Sequence, residues 1–501
     1  MGYILVFDLG TTSVKAVLFD EELKRIDLQS VEYTLIAGQA SRVEYPAEGY
    51  WNALCRAAEC IFERRRDAAE KIAGISVTTQ GETLIPVDER GEALRRAIVW
   101  LDGRAETQAA AIRTKIKRED FFRITGVPEC TGLCPLSKLI WLKENEKAIY
   151  QKTRWFLLLG DYILFKLTGI ICTEKTLLST TGYFRIDEDR VWDELLEDLG
   201  LARDRIPPVK ESGEVIGAIS PEAARQLGLN DRALVTSGAM DQICGAVGAG
   251  NFVAGTLTEV TGTALCVGAT IPKQAIDGRG SIPVYRHIFT DRYLVLPVSM
   301  TAGMALKWFR DTFCPSETEE AARTGQDVYD LLGALAASSP PLARGLLHIP
   351  YLSGSIQPDN NPAARGAFTG IGLEHTRADF IRAIFEGVAY MLRENIELLR
   401  REFSITGSNL RSLGGGSRSP LWNQIKADIT GLSIETMGEP ECTAAGAAAL
   451  CAVSIRMFNT VEDAVRAVNR PLALYTPHVE RKIEYDKGYA DYNKIYAAIN
   501  R

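Results

Sequence analysis

"YILVFDLGTTSVKAVLFD", residues 3–20, sets two short apolar runs on either side of a Leu-Gly-Thr-Thr-Ser turn. Both runs are partly β-branched and bounded by turn residues, so they read as strand, turn, strand. The first strand carries Asp8 to the edge of a sheet, and Gly10-Thr11-Thr12 follows at once. Such a turn gathers backbone N–H groups and two hydroxyls at one point, which suits phosphate oxygens, and Lys15 adds a cation nearby. Asp8 is the candidate Mg²⁺ ligand, because that ion takes one or two carboxylates and completes its shell with phosphate oxygens and water. A plain hairpin turn is the alternative reading of the same hexapeptide.

Outward from this hairpin the chain reads helix around 50–70, strand at 72–80, strand at 96–102, then a charged helix. Strands alternating with helices indicate an α/β protein with a mixed or parallel sheet. The apolar stretch 155–171 contains Asp161 and Lys166 and reads as a buried helix, not a membrane span. In the second half, 255–270 reads as a hairpin turning at Thr261-Gly262-Thr263. Phe380, Ile384, Val388, Met391, Ile396 and Leu399 recur at helical spacing within 375–403. A strand then runs into Gly414-Gly415-Gly416, followed by a helix with Pro420 in its first turn and Gly431 at its end.

A chain of 501 residues exceeds what one core usually serves, so two domains are expected, divided at 1–247 and 248–501. No tandem repeat of short period is visible. The net charge of −7 argues against a general nucleic-acid binder. Ten scattered cysteines indicate reduced thiols in a cytoplasm, and none of the four histidines lies near the Cys55/Cys60 or Cys130/Cys134 pairs to complete a zinc site. The opening residues lack the basic run and cleavage site of a signal peptide. A Walker A loop is absent, and Gly245, Gly248 and Gly250 run G-x-x-G-x-G, the reverse of the dinucleotide fingerprint.

"SGAMDQICGAVGAGN", 237–251, surrounds the single acidic residue Asp241 with small side chains. Either Asp241 caps a tightly packed helix starting near Gln242, or the small residues keep a path open to its carboxylate. The three glycines at 414–416 either let backbone approach a flat ligand such as adenine or make a tight strand-to-helix connection.

Taken in order, these motifs resemble those of the FGGY carbohydrate kinases over nearly the whole chain. They include "DLGTTSVKAVLFD" at 8–20, "PLSKLIWLKEN" at 135–145 and "SGAMDQICGAVGAG" at 237–250. "FEGVAYMLREN" at 385–395, "GGGSRSPLWNQIKADITG" at 414–431 and "CTAAGAAALCA" at 442–452 continue the series. The resemblance implies an α/β protein of two ribonuclease-H-like (actin-like ATPase) domains flanking a deep catalytic cleft. Sugar would bind largely to the first domain and ATP to the second. By motif match Asp241 would be the general base, with Gln242 beside it at the substrate, and Asp8 would place Mg²⁺. Gly10, Thr11, Thr12 and Lys15 would lie near the transferring phosphate, and Gly262 and Thr263 would line the triphosphate. Gly303 and Lys307 match positions near the nucleotide, and Gly415, Gly416 and Ser417 would flank the adenine.

For the acceptor, Gln80, Glu82 and Thr83 match a glycerol-kinase pattern. Gly81 stands where those enzymes place Arg, and Leu133 where they place an aromatic, so an enlarged pocket and an acceptor other than glycerol are expected. Trp100-Leu101-Asp102-Gly103-Arg104 is close to the xylulose-kinase pattern. Trp100 would stack on a sugar face, or else sit in the core on a strand, with Asp102, Gln80 and Glu82 accepting hydroxyl hydrogen bonds. Ser355-Ile356 departs from the Glu-Arg of many relatives. The expected activity is ATP-dependent phosphorylation of a ketopentose such as xylulose. A tetritol or other polyol kinase is the alternative, and an actin-like ATP-driven switch is the alternative of another class. The expected partners are a small sugar or polyol and ATP, with no nucleic acid and no membrane, and a homodimer as the assembly.

Overall fold

The computed structural model describes residues 2–39, 41–357 and 359–500. Two large sheets organise it, and their strands are numbered here in chain order. The first holds β1 (Tyr3–Leu9), β2 (Ser13–Phe19), β3 (Arg25–Glu32), β4 (Ile72–Thr79), β5 (Val215–Ala218) and β6 (Leu234–Thr236). The second holds β7 (Leu257–Thr261), β8 (Leu265–Ile271), β9 (Val284–Arg286), β10 (Tyr293–Val295), β11 (Asn409–Leu413), β12 (Ser433–Met437) and β13 (Pro471–Tyr475), with Val298–Ser299 paired onto β8.

The first sheet runs β3-β2-β1-β4-β6-β5, and the second contains β10-β8-β7-β11-β12-β13. Read in those orders, both give antiparallel, antiparallel, parallel, parallel, antiparallel pairings. The chain is therefore two copies of one ribonuclease-H-like topology. β1 sits in the middle of its sheet, and Ile4–Phe7 are fully buried, as a central strand covered on both faces requires.

The helices that matter for the cleft are α1 (Ala47–Arg64), α2 (Leu159–Thr168), α3 (Asp241–Gly248), α4 (Gly303–Phe313), α5 (Arg377–Phe403), α6 (Pro420–Thr430), α7 (Cys442–Ser454) and α8 (Val479–Ile499). α6 begins at Pro420 and stops at Gly431, whose φ of 69° suits glycine. Two elements differ from expectation. The stretch 155–171 is a strand, Trp155–Leu158, turning straight into α2. Asp161 starts the helix by accepting the Leu158 N–H at 2.9 Å. The strand expected at 96–102 is only Ala97–Ile98, because the chain turns where Asp102 N–H bonds the Val99 carbonyl at 2.9 Å.

Helices α3 and α7 cross with their backbones in contact. A Cβ built on Gly248 would lie 1.9 Å from the Cys442 carbonyl oxygen, and one on Gly446 would lie 2.0 Å from that of Cys244. The small residues of 237–251 are thus chiefly a packing surface for α7. The other side of α7 rests on β4, where a Cβ on Gly74 would meet the Cys451 sulfur at 2.6 Å. One continuous core then joins Ile4, Val17 and Phe19 of the first sheet to Ile243, Val247, Ala445 and Ala448, and on to Leu294 and Leu296 of the second half.

Gly248→Ala and Gly446→Ala should each lower the unfolding free energy by about 1–3 kcal/mol, read as an earlier urea midpoint. Gly415→Ala, whose new Cβ meets nothing within 4 Å, should stay within about 0.5 kcal/mol of the parent. Equal midpoints for all three would contradict the crossing.

Candidate active site

In sheets of this kind ligands gather at the carboxyl ends of parallel strands. β1 ends beside Asp8, β4 runs into Gln80, and the loop after β6 leads to Asp241, with Thr79 and Met240 paired in parallel. The second half repeats the plan: β7 runs into Gly262-Thr263, β11 into Gly414–Ser417, and β12 into Glu439–Glu441 and the start of α7. A cavity of about 220 Å³ opens where the two sets meet, lined by Asp8, Lys15, Asp241 and Gln242 from one half and Gly414 and Glu441 from the other.

Asp241 is the first residue of α3, after Met240 at the N-cap, so it is not the cap itself. Its Oδ1 accepts the Gln242 N–H at 2.6 Å. Burial, reinforced by the neighbouring Asp8 charge, pushes the carboxyl up to about 7 despite that hydrogen bond. Asp8 is raised to about 6 by burial, with Lys15 pulling it down and Glu441 pushing it up. Lys15 stands opposite Asp8 in the β1–β2 register, and its Nζ donates to Glu441 Oε2 at 2.5 Å across the cleft. Arg25 and Glu439 make a second bridge at 2.9 Å. Neither glutamate is singled out by the sequence reading. The signal for them is positional: "GEPE" at 438–441 leads into α7 as the loop before Asp241 leads into α3, and only the duplicated topology reveals the correspondence.

Gly10, Thr11 and Thr12 form the tip of the β1–β2 hairpin, where the Tyr33 hydroxyl donates to the Gly10 carbonyl. Trp100 ties this tip to the neighbouring turn: its indole N–H donates to Thr11 Oγ1 at 3.0 Å and its backbone N–H to Thr83 Oγ1 at 3.1 Å. It is half-buried and lies outside any strand. Asp102 departs from its expected role as a hydroxyl acceptor. It is fully buried, with Oδ1 taken by the backbone N–H and Nε of Arg104 and Oδ2 by Arg104 Nη2 and the Val43 N–H, so it anchors the turn.

Glu82 adopts a left-handed φ of 54°. Burial raises its carboxyl to about 8, Lys138 opposing and Cys134 and Asp241 adding to the push. Lys138 is itself fully buried, lowered by that burial, and donates to the Val99 carbonyl at 3.0 Å and the Glu82 carbonyl at 3.4 Å. Burial raises the Tyr50 hydroxyl, with the neighbouring Gln80 amide opposing that shift, yet neither end of the amide makes a hydrogen bond of good geometry. From the second half Tyr285 joins this group: burial raises its hydroxyl, and Glu82, Cys266 and Asp241 raise it further. Tyr285 and Lys138 are also absent from the sequence-derived site. Beside Gly81 a Cβ would meet Thr180 Oγ1 at 3.0 Å, so Thr180 occupies the space next to that glycine.

A second cavity of about 620 Å³ lies on the β7–β8 side, lined among others by Gly262, Thr263, Gly303, Lys307, Gly415 and Gly416. Gly303 opens α4 and donates to the Gly262 carbonyl at 2.8 Å, so close that a Cβ would fall 2.5 Å from that oxygen. Gly416 is likewise pressed against Thr261, whereas Gly415 faces open space. Ser417 is displaced from its expected place at a ligand: its hydroxyl turns back to the Gly414 carbonyl at 2.8 Å, and Arg418 and Ser419 line the cavity instead. Lys307 Nζ donates to Asp311 at 2.6 Å. Beneath the hairpin Lys426, fully buried, donates to Glu259 at 2.6 Å and Thr261 Oγ1 at 3.0 Å, fixing the Thr261 end of the turn.

Known proteins share sequence and fold with this chain over nearly its whole length. The FGGY family of carbohydrate kinases matches over residues 3–248 for its N-terminal domain and 257–455 for its C-terminal domain. A xylulose kinase of Bacillus subtilis (strain 168) is 30% identical over 496 residues, covering 99% of this chain and 97% of its own. A gluconokinase of the same organism is 30% identical over 490 residues, covering 97% and 93%. The solved structure of a xylulose kinase from Rhodospirillum rubrum superposes with a TM-score of 0.88 at 27% identity, covering 99% of this chain and 98% of the other. The chain belongs to the FGGY family of carbohydrate kinases and is an ATP-dependent carbohydrate kinase.

The raised carboxyls fix a pH dependence of stability. Asp241 holds its proton more tightly folded, at about 7, than at its ordinary 3.8. Below the lower value neither state is ionised. As pH rises between the two, the unfolded chain ionises first and stability falls, until the loss is complete above about 7. Asp241→Asn should therefore be more stable than the parent at pH 8 by about 1–3 kcal/mol. That advantage should shrink towards pH 4 in urea titrations at several pH values.

Proposed function

We propose that this FGGY kinase transfers the γ-phosphate of ATP to a hydroxyl of a neutral ketopentose such as xylulose, with Asp241 as general base. The observation that carries this is the Asp241 carboxyl itself, desolvated in the cavity shared with Asp8 and Glu441 and raised to about 7. A base titrating near the working pH is well matched to take a hydroxyl proton in the transition state, a contribution of about 10²–10⁴-fold. Little else is demanded of the protein in phosphoryl transfer beyond positioning and charge neutralisation.

On this reading the first half, 1–247, holds the acceptor through Gln80, Glu82, Trp100 and Gln242, with Tyr285 reaching in from the second half. The second half, 248–501, holds the nucleotide in the cavity of about 620 Å³. The Gly262-Thr263 turn meets the phosphates, and Gly415 lets backbone lie close to the base. Lys15 exchanges its partner Glu441 for phosphate oxygen when ATP arrives. Among the described residues no cluster of three or more His, Cys, Asp and Glu makes a metal cage. Mg²⁺ would be held by Asp8, with phosphate oxygens and water completing its shell. When bound it supplies charge neutralisation on the phosphates.

Charge favours a neutral acceptor over an anionic one such as gluconate. Burial already holds the carboxyls of Glu82, Asp241 and Asp8 above their ordinary values, so the site disfavours further negative charge, and the buried cation beside Glu82, Lys138, already serves two carbonyls. We assign the reaction to the cytoplasm: no helix among the described residues is long and apolar enough to cross a membrane, and the ten cysteines are free thiols.

Asp241→Asn should keep nucleotide binding, measured by calorimetry with ADP, and lose at least about 10² in kcat. Near-normal turnover would overturn the assignment. Because the base acts ionised, kcat/KM for the acceptor should fall about tenfold per pH unit below about 7 and level off above it. Across xylulose, ribulose, erythritol and gluconate, xylulose should give the highest kcat/KM. A preference for gluconate would refute the neutral-acceptor argument.

A further inference from the structure

Asp241 opens α3, and the loop 237–240 delivers the chain to that point. On one side this loop lies against β4. Met240 pairs in parallel with Thr79, and a Cβ on Gly238 would fall 1.9 Å from the Val77 carbonyl oxygen. The φ of Gly238, 59°, is likewise one that glycine adopts readily.

On the other side the loop is held at both ends. Residues 211–214 take the near end: Ser237 N–H donates to the Glu214 carbonyl at 3.0 Å and Ser237 Oγ to that of Glu211 at 3.0 Å. Gly213 N–H donates in return to the Gly238 carbonyl at 2.8 Å. A single side chain takes the far end, where Met240 N–H donates to Thr176 Oγ1 at 2.8 Å.

Both routes lead back to Glu174. A threonine hydroxyl carries one proton, and the Met240 N–H occupies its acceptor side. The proton goes to Glu174 Oε1, 2.6 Å away. Glu174 Oε2 accepts Ser212 Oγ at 2.6 Å, which ties in the 211–214 segment. The carboxylate also accepts the N–H groups of Thr176 at 2.8 Å and Leu177 at 2.6 Å, capping the short helix Lys175–Leu178. Glu174 and Thr176 are fully buried. Burial pushes the Glu174 carboxyl up, and these neutral donors oppose it.

Capping the short helix needs only the two N–H bonds. The hydroxyl bonds do something else: they fasten a buried carboxylate to both ends of the loop that leads to Asp241. Thr176 matters most, because its hydroxyl bonds the peptide one residue before Asp241. A bond placed there fixes the direction in which the chain enters α3. The Asp241 carboxylate is bonded to the next peptide of its own chain, Gln242 N–H at 2.6 Å, so its place in the cavity follows that of the backbone.

We propose that Thr176 and Glu174 are positioning residues for phosphoryl transfer: through the Met240 peptide they hold the Asp241 carboxylate where it can take the acceptor's proton. The proposal rests on Asp241 being the base. A base contributes in the transition state, so misplacing it lowers kcat and spares binding. Displacement by about 1 Å can cost about 10²-fold in rate.

The test compares Thr176→Val, which keeps the shape and removes the hydroxyl, with Thr176→Ser, which keeps the hydroxyl. Steady-state kinetics use whichever of xylulose, ribulose, erythritol and gluconate turns over fastest, and calorimetry uses ADP. Thr176→Val should lose at least about 10-fold in kcat, with acceptor KM and ADP affinity within about 2-fold of the parent. Thr176→Ser should recover kcat to within about 3-fold. In the Asp241→Asn background Thr176→Val should cost less than about 2-fold more, because residues that act as a unit are not additive. Ser212→Ala takes one donor from Glu174 and leaves Met240 bonded. It should show the same split at about 3-fold, and it carries the test if the valine variant does not fold. Unchanged kcat in Thr176→Val, a loss explained by KM, or full additivity with Asp241→Asn would each overturn the positioning role. Near-normal turnover in Asp241→Asn alone would instead overturn the base assignment beneath it.

Discussion

The site depends on one contact, the crossing of α3 and α7 at Gly248 and Gly446. Each helix follows the third parallel strand of its own sheet, β6 or β12, and each starts at the cleft. With no side chain between them, the backbones touch, and a methyl group on either glycine would overlap a carbonyl of the other helix. The helix starts are thereby held close enough that Asp241 and Glu441, some 200 residues apart in sequence, line one cavity. Backbone contact in a close-packed interior is far less adjustable than side-chain packing. The spacing between the two halves at the chemistry is set by that crossing, and the Lys15–Glu441 and Arg25–Glu439 bridges only trim it.

That spacing explains the electrostatics. Asp8, Asp241 and Glu441 share a small volume with one lysine; beyond burial, Glu441 makes Asp8 harder to ionise and Asp8 does the same to Asp241. A folded protein gains nothing in stability from such a cluster, and a site that serves chemistry commonly carries such a penalty. Beneath the other hairpin the arrangement is opposite. The buried Glu259 is matched by Lys426 and by the hydroxyls of Thr261 and Ser412, so the turn above it is fixed without presenting net charge. One topology used twice thus yields a charged edge and a neutral edge that face each other.

Much of this was legible from sequence where local chemistry is decisive. The β1–β2 and β7–β8 hairpins announce themselves through short apolar runs around Gly-Thr turns, and α5 and α6 through periodicity, Pro420 and Gly431. The misread elements are those where an apolar run is ambiguous between strand and helix. Residues 155–171 divide at Leu158 because Asp161 caps there, and 96–102 turns because Asp102 finds Arg104 and Val43. A carboxylate's identity is visible in a sequence but its partners are not. Asp102, which looked free, is saturated, and Glu441, which attracted no notice, faces the cavity. Tyr285 and Lys138 were missed for the same reason, since each reaches the site from a distant segment.

The small residues around Asp241 invited two explanations, tight packing and open access, and the structure shows why they are not rivals. Gly248 and the face of α3 turned to α7 serve packing, since their missing side chains are filled by the backbone of the other helix. Gly245 and Ala246, one turn after Asp241, line the cavity. A Cβ on Gly245 would reach only Thr443 Oγ1, at 3.3 Å, so that position is spared a collision with backbone. Close approach of the helices requires small residues at the crossing, and the same approach brings the second half's loop over Asp241. Any larger residue at the crossing would push that loop away and re-expose the carboxylate to water. Burial is the largest influence holding Asp241 near neutrality, so the packing of α3 against α7 is itself a determinant of its acidity.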